Sequence, residues 1–284
     1  MLLVLGANGQ LGQGFKNTWP DDQVTYVDRN ECDITKTNEI AATLDRYKPT
    51  VTINCAAYTD VNKAETDVGH ADCTLINTTA VKNLAIETEE RNIPLIHIST
   101  DYVFDGQKNT PYTTMDVPSP LNHYGQSKLD GENAFLKHAR CGAIIRVSHL
   151  SSEFGKNIVK TFHSLLTRLP EMNVVNDQTI CLTTTADVVK FVYKISKQDH
   201  LKNSTEIYHL GSKNSFTFFE LATEIKNIIQ SKTTLTPVSL ETFSGPVKRP
   251  IYSVLDTKSV QDIIDCPSWK KSVRDIIQKL ENEQ

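Results

Sequence analysis

The chain has 284 residues, with 30 Lys and Arg against 34 Asp and Glu, a net charge of −4 and a sequence pI near 6.1. Without a basic excess it does not read as a binder of nucleic acid or anionic membrane. The apolar opening Met1–Leu5 is far shorter than the roughly 20 residues of a membrane helix and has no basic flank of a secretory signal. Hydrophobic residues make up 39% and charged residues 23%, the balance of an ordinary globular protein. The six cysteines are widely scattered, without CxxC spacing or disulfide density, so the expected setting is a reducing cytoplasm. None of the eight histidines stands at ligand spacing from a Cys or another His, and no metal site is expected.

In chain order, short apolar runs alternate with amphipathic stretches. Met1–Leu5 is the first run, followed by a helix from Leu11 to about Trp19. Val24–Val27 is the second, ending in Asp28. A helix over Thr35–Tyr47 follows, with Ile40, Leu44 and Tyr47 on one stripe. Val51–Cys55, Pro94–Ile98 and Ala143–Val147 are three more runs, apolar throughout as in strands covered on both faces. Between them, Cys73, Ile76, Ala80 and Leu84 form one helical stripe, and a helix from about Leu121 to Lys137 follows the Pro118-Ser119-Pro120 breaker. Later stripes are Val188, Val192 and Ile195; Phe218, Leu221, Ile225 and Ile228; and Trp269, Val273, Ile276 and Leu280. Val174-Val175 and Glu206–Leu210 are short strand candidates among them. The pattern predicts an α/β fold, a doubly wound parallel sheet of the Rossmann kind with a smaller α+β lobe. Residues 1–150 are expected to form a dinucleotide-binding domain. Residues 151–284 are expected to be mainly a substrate-binding lobe, with some segments returning to the first domain.

Two constellations carry chemistry. Gly6-Ala-Asn-Gly9-Gln-Leu-Gly12 links the first strand to the first helix. Glycines there permit a tight turn, backbone approach to a pyrophosphate and close helix–strand packing, while the helix N-terminus offers N–H groups to phosphate. Asp28 ends the second strand, where an acid accepts hydrogen bonds from the adenosine ribose. Arg29 beside it suits a 2′-phosphate, which leaves NADH and NADPH both open. Asp33 and Ile34 are expected to border the adenine, with a helix cap as the alternative for Asp33. The second constellation is Tyr124-Gly-Gln-Ser-Lys128, which puts a phenol and an ammonium on one helical face. The cation is expected to lower the phenol's pKa and make it a usable acid. Ser99-Thr100-Asp101 ends the fourth strand, where open α/β sheets bind ligands.

These residues resemble the dTDP-4-dehydrorhamnose reductase family of the extended short-chain dehydrogenase/reductases. The likeness runs through GANGQLG at 6–12, NCAAYTDVNKAE at 54–65, STDYVFDG at 99–106, SPLNHYGQSKLDGE at 119–132, VVNDQ at 174–178 and the late Arg249, Pro250, Ser253, Leu255 and Asp256. The resemblance implies that Gly9, Gln10 and Leu11, framed by Gly6 and Gly12, meet the pyrophosphate. It puts Ala56, Ala57, Tyr58 and Thr59 along the cofactor. Tyr124 becomes the proton donor, Lys128 the holder of the nicotinamide ribose, and Thr100 and Asp101 the contacts to the sugar. The implied reaction is reduction of a 4-keto-6-deoxy nucleotide sugar by NADPH or NADH, in the supply of dTDP-L-rhamnose for polysaccharide, with a homodimer as the expected assembly. One departure stands out: Arg146-Val-Ser-His149-Leu-Ser-Ser152 has His149 where the family usually has a sugar-contacting Trp, and Cys181-Leu-Thr-Thr184 lacks the family's Gly and Pro. Two alternatives follow, a reductase of a different keto nucleotide sugar and a non-catalytic dinucleotide-binding regulatory subunit.

Overall fold

The computed structural model of the chain describes residues 1–19, 23–243, 245 and 247–282. Its strands are β1 (Leu2–Leu5), β2 (Val24–Val27), β3 (Val51–Asn54), β4 (Leu95–Thr100), β5 (Gly142–Val147), β6 (Leu150–Ser151), β7 (Glu171–Val175), β8 (Thr179–Ile180), β9 (Thr183–Thr184), β10 (Thr205–Leu210), β11 (Phe216–Thr217) and β12 (Thr234–Val238). Its α-helices are α1 (Gln10–Thr18), α2 (Thr37–Tyr47), α3 (Asp67–Thr74), α4 (Ala80–Glu90), α5 (His123–His138), α6 (Ile158–Leu166), α7 (Thr185–Ile195), α8 (Phe218–Ile228), α9 (Leu240–Phe243), α10 (Lys258–Gln261) and α11 (Trp269–Asn282).

Six strands form one parallel sheet in the order β10-β5-β4-β3-β1-β2. The continuous apolar runs read from sequence are its inner strands: β3 and β5 are buried along their whole length. Helices cover both faces, as a parallel sheet requires. Ile40, Leu44, Leu84 and Phe135 bring α2, α4 and α5 onto one face. Leu11, Phe15, Val188 and Val192 bring α1 and α7 onto the other. The fold class is therefore the doubly wound one. Strand order reverses between β1 and β3, and that switch point opens the crevice where such sheets take ligands.

The second half of the chain serves two places. The stripes of α6, α8 and α11 close a separate core with β7 around Phe162, Leu221, Ile225 and Ile276. By contrast, β10 pairs with β5 in the main sheet, and α7 packs on α1.

Several boundaries differ from the sequence expectation for local reasons. β4 runs on through Thr100, because Ser99 and Thr100 still pair with Arg146 and Val147. Helix α5 starts at His123, capped by the Asn122 side chain accepting from the Gly125 N–H at 2.8 Å. Helix α2 starts at Thr37 because the Asp33 carboxylate takes the Thr35 N–H and hydroxyl instead of capping the helix. The stripe from Cys73 to Leu84 is interrupted by a π-turn over Leu75–Thr79.

Under the sheet's end lies a buried polar network. Arg146 of β5 binds Glu132 of α5 through Nη2 (2.6 Å) and Nε, and Ser99 of β4 donates to the same carboxylate. His209 of β10 completes it: Nδ1–H donates to the Tyr112 carbonyl at 2.9 Å, and Nε2 accepts from Arg146 at 3.3 Å. Burial, then the Arg146 charge, pulls this imidazole down to about 4, against the Tyr112 bond. The unfolded chain, with His near the usual ~6.5, takes up that proton first as pH falls. Stability carried by neutral His209 is therefore complete above about pH 6.5 and lost toward pH 4, by about 3 kcal/mol. His209→Asn keeps a donor for Tyr112 and removes the titration. Urea unfolding across that range should give a flatter acid slope for the variant, and equal slopes would refute the assignment.

Candidate functional site

The crevice at the switch point is a cleft of about 270 Å³. Gly6 turns the chain out of β1 with φ +79°, and a Cβ there would meet the Ala56 nitrogen at 2.6 Å. The chain therefore needs glycine at this point. Gly9 is the N-cap of α1 and no side chain caps the helix, so the N–H groups of its first turn remain available. A Cβ on Gly9 would have only the Gly6 carbonyl, at 3.3 Å, as a neighbour and would otherwise stand in the cleft. Bare N–H groups at a positive helix end form a phosphate cradle that any side chain on Gly9 would fill.

Asp28, Arg29, Asp33, Ile34, Ala56 and Ala57 line the same cleft. The Asp28 carboxylate accepts from Asn8 Nδ2 at 2.7 Å and from the Asn30 N–H at 2.8 Å. Arg29 reaches across to Asp33 at 3.5 Å and is largely exposed. Thus a fixed acid and a movable cation flank one end of the cleft. These residues fit a dinucleotide: a cradle for pyrophosphate, an acid for a ribose and an apolar edge at Ile34.

The remaining expected residues shape the loop and its surroundings. The Gln10 side chain donates to the Leu150 carbonyl at 3.0 Å and so ties the loop to β6. Leu11 is buried in the core, and Gly12 packs tightly against the Gly6–Ala7 backbone. Ala57 and Thr59 are exposed, whereas the Tyr58 backbone is held. Asn77, on the π-turn, accepts the Tyr58 N–H at 2.9 Å and donates to the Tyr58 carbonyl at 3.0 Å. Sequence reasoning missed Asn77, and the only available signal was a buried-side Asn in an otherwise apolar helical stripe.

At the carboxyl end of β4, Thr100 accepts from the Tyr102 N–H and donates to Asp101 Oδ1 at 3.1 Å. Asp101 is 2% exposed, and its other oxygen accepts from Ser148 at 2.8 Å. It stands buried behind Thr100. Tyr124 projects from the first turn of α5, with its ring 5.7 Å from that of Tyr102. Burial pushes the Tyr124 phenol up, Thr100 pulls it back by hydrogen bonding, and Asp101 adds to the rise. The expectation that Lys128 lowers this phenol is thus corrected. Lys128 points under the sheet, donating to the Ile98 carbonyl at 2.6 Å and meeting His97 Nε2 at 3.2 Å. Burial brings Lys128 down to about 8, against the opposing Glu132 charge.

His149 sits in the left-handed region with φ +43° and is 14% exposed. Its ring lies edge-on to Phe218 at 5.2 Å and to Tyr102 at 6.5 Å. Beyond it a second cleft of about 310 Å³ is lined by Tyr102, Phe162, Val174, Gln178, Phe218 and Arg249. Arg249 donates to Asn62 at 2.6 Å, tying the late Arg-Pro segment to the loop after β3. Among the described residues, no helix is long and apolar enough to cross a membrane, and no three His, Cys, Asp or Glu side chains gather as a metal-holding group.

Fold and clefts together define a Rossmann-type α/β protein with a dinucleotide-shaped crevice and a second-lobe cavity beside it. A more particular assignment comes from comparison with known proteins. The family model described as the RmlD substrate binding domain matches residues 1–282, and the chain belongs to this family. A dTDP-4-dehydrorhamnose reductase of Aggregatibacter actinomycetemcomitans is 31% identical, with 97% of each chain covered. A dTDP-4-keto-6-deoxy-D-glucose reductase of Streptomyces niveus is 32% identical, over 89% of this chain and 87% of that one. The crystal structure of the Bacillus anthracis dTDP-4-dehydrorhamnose reductase in complex with NADP superposes with a TM-score of 0.91 at 30% identity, covering 98% of both chains.

The Gly6 turn gives a direct test of the crevice. Gly6→Ala should introduce roughly 1–3 kcal/mol of strain against Ala56. Affinity for NADPH in a fluorescence titration should fall about tenfold. Unchanged affinity would mean that the dinucleotide does not use this turn.

Proposed function

We propose that the chain reduces the 4-keto group of dTDP-4-dehydro-L-rhamnose with NADPH or NADH to give dTDP-L-rhamnose, a precursor of cell-surface polysaccharide. The observation that carries this reading is the convergence of Tyr124 and Thr100 at the end of β4, where Tyr102, which touches both, lines the second-lobe cleft. Near-full-length similarity to reductases of that name supports the substrate, and the NADP-bound relative supports the cofactor.

In this reading Gly6, Gly9, Gly12 and the first-turn N–H groups of Gln10 and Leu11 hold the pyrophosphate. Asp28 or Arg29 takes the adenosine ribose, Asp33 and Ile34 border the adenine, and Ala56, Ala57, Tyr58 and Thr59 flank the path to the nicotinamide. The reduced nicotinamide, when bound, supplies the hydride. Tyr124 gives its proton to the oxygen developing at C4. The phenol carries its proton at neutral pH, and the Thr100 hydrogen bond opposes the burial that weakens it as an acid. In this reading the Thr100 hydroxyl turns from Asp101 to donate to the Tyr124 oxygen, which orients the phenol and leaves its proton free for the sugar. Lys128 anchors the cofactor side of the site. His149, Tyr102 and Phe218 form the wall against the sugar, and the second cleft suits the nucleotide portion.

His149 motivates a second reading within the same chemistry: the wall accepts a different dTDP-keto sugar. The Streptomyces niveus relative, with another keto-sugar name at similar identity, supports it. The six cysteines, all free thiols, suit a reducing cytoplasm.

A panel of dTDP-keto sugars, followed at the nicotinamide absorbance with both cofactors, tests the reading. Tyr124→Phe should lower kcat on the accepted sugar by about 10²–10⁴-fold. Turnover no better than this variant's across the panel would overturn the assignment. Lys128→Met should weaken NADPH binding as well as turnover; an unchanged dissociation constant would remove Lys128 from the cofactor site.

A further inference from the structure

The groups beneath His149 fix which of its nitrogens carries the proton. Ser148 Oγ donates to Asp101 Oδ2 at 2.8 Å and lies 3.3 Å from His149 Nδ1. A serine hydroxyl has one proton to give. Once Thr100 turns from Asp101 to the phenol, Ser148 is the hydroxyl left on that buried carboxyl group, so its proton stays there. Cys181 also reaches Ser148, but burial pushes its thiol up to about 12, and an un-ionised thiol is a weak acceptor beside a carboxyl oxygen. Toward His149 the Ser148 oxygen can therefore only accept, and Nδ1 must hold the ring proton. Asp101 Oδ2 lies 4.0 Å from Nδ1 and favours a proton on that side.

Burial, against the Asp101 charge, lowers the His149 pKa, so the ring is neutral at neutral pH and its single proton is the one on Nδ1. Nε2 is then a bare lone pair. It takes no hydrogen bond from any described residue, and it is open to solvent, unlike the sealed hydroxyls of Thr52 and Ser253. The rings edge-on to His149, Phe218 and Tyr102, both line the second-lobe cleft. Donation at Nδ1 makes the opposite nitrogen a stronger acceptor. The ring is also held in place. The His149 carbonyl accepts from Ser151 Oγ at 3.0 Å, and the Ser148 N–H donates to Thr183 Oγ1 at 3.0 Å.

We propose that His149 is a specificity-determining residue, which presents Nε2 as a fixed acceptor at the second-lobe cleft and selects keto sugars that bring a hydroxyl donor to this wall over their deoxy counterparts. The donors then run one way: sugar hydroxyl to Nε2, Nδ1–H to Ser148, Ser148 to Asp101. Such a chain polarises along its length, which strengthens the bond at its outer end. A sugar without the hydroxyl covers Nε2 and leaves it unpaired, and the lost affinity is the discrimination.

The inference rests on the reading above in taking the second-lobe side as the sugar's place. Imidazole 15N spectra of the intact labelled protein test the tautomer without turnover, with His149 assigned by the signal lost in His149→Asn. At about pH 8, Nδ1 should be protonated and Nε2 bare. A proton on Nε2 overturns the proposal. The second measurement is kcat/KM with NADPH for dTDP-4-keto-6-deoxy-L-mannose and for its counterparts lacking the C2 or the C3 hydroxyl. Wild type should favour the full sugar over one counterpart by about tenfold or more. Asn suits a left-handed backbone and does not extend to the Nε2 position, so in His149→Asn the preference should shrink to about twofold or less. His149→Gln, whose amide oxygen extends that far, should restore part of it. Equal use of the three sugars by wild type, or a preference unchanged in His149→Asn, overturns the proposal. Turnover of none of them by wild type would refute the proposed reaction instead, and the tautomer then decides this inference alone.

Discussion

Everything at the candidate site depends on how α5 is fastened to the last four residues of β4. His97 and Ile98 take Lys128, Ser99 takes Glu132, and Thr100 meets Tyr124, so four consecutive strand residues engage three turns of one helix. The fastening is ionic at its base. Glu132 and Arg146 are 1% and 3% exposed, a pair whose desolvation is tolerable only because Ser99 and His209 satisfy the remaining polar atoms. Loss of one partner of such a pair typically costs about 3–5 kcal/mol, since the other is left as an uncompensated buried charge. The phenol and the Thr100 hydroxyl inherit their positions from this base.

Much of the architecture was legible from the sequence. Five short apolar runs, each followed by an amphipathic stretch, allow few arrangements once strands must be covered on both faces. The Gly6-to-Gly12 turn announced which strand comes first at the crevice. The partnership of β10 with β5 was not legible. Glu206–Leu210 reads as a strand, but its neighbour lies some sixty residues earlier in the chain, and periodicity is silent on such distant pairing. The π-turn at Leu75–Thr79 was equally hidden, because one additional residue per turn falls within the scatter of a 3.6-residue stripe.

At the site, residues with distinctive spacing were readable, whereas those that act through buried bonds were not. Tyr124, Lys128, Thr100 and Asp28 belong to motifs. Asn77 and His97 lie inside runs that look like ordinary core, Asn54 opens a motif that does not disclose its bond, and their partners are 19 to 43 residues away. Helical spacing also reveals a shared face without revealing direction. Lys128 and Tyr124 rise from one side of α5, yet the long lysine stem carries its nitrogen down to Ile98 and away from the expected partnership with the phenol. His149 is a mixed case. Its departure from the family pattern was visible in sequence, while its left-handed backbone and edge contact with Phe218 depend on the fold around it.

The position of β10 also bears on how the chain matures. Until residues 205–210 have been made, β5 presents an uncovered flank of Val, Ile and Arg backbone groups, the kind of edge that recruits other strands. Helix α7, which shields the same half of the sheet, is completed only shortly before. An N-terminal fragment that contains every motif of the crevice would therefore be an unfinished sheet prone to self-association, and assembly during synthesis must wait until about three quarters of the chain has emerged.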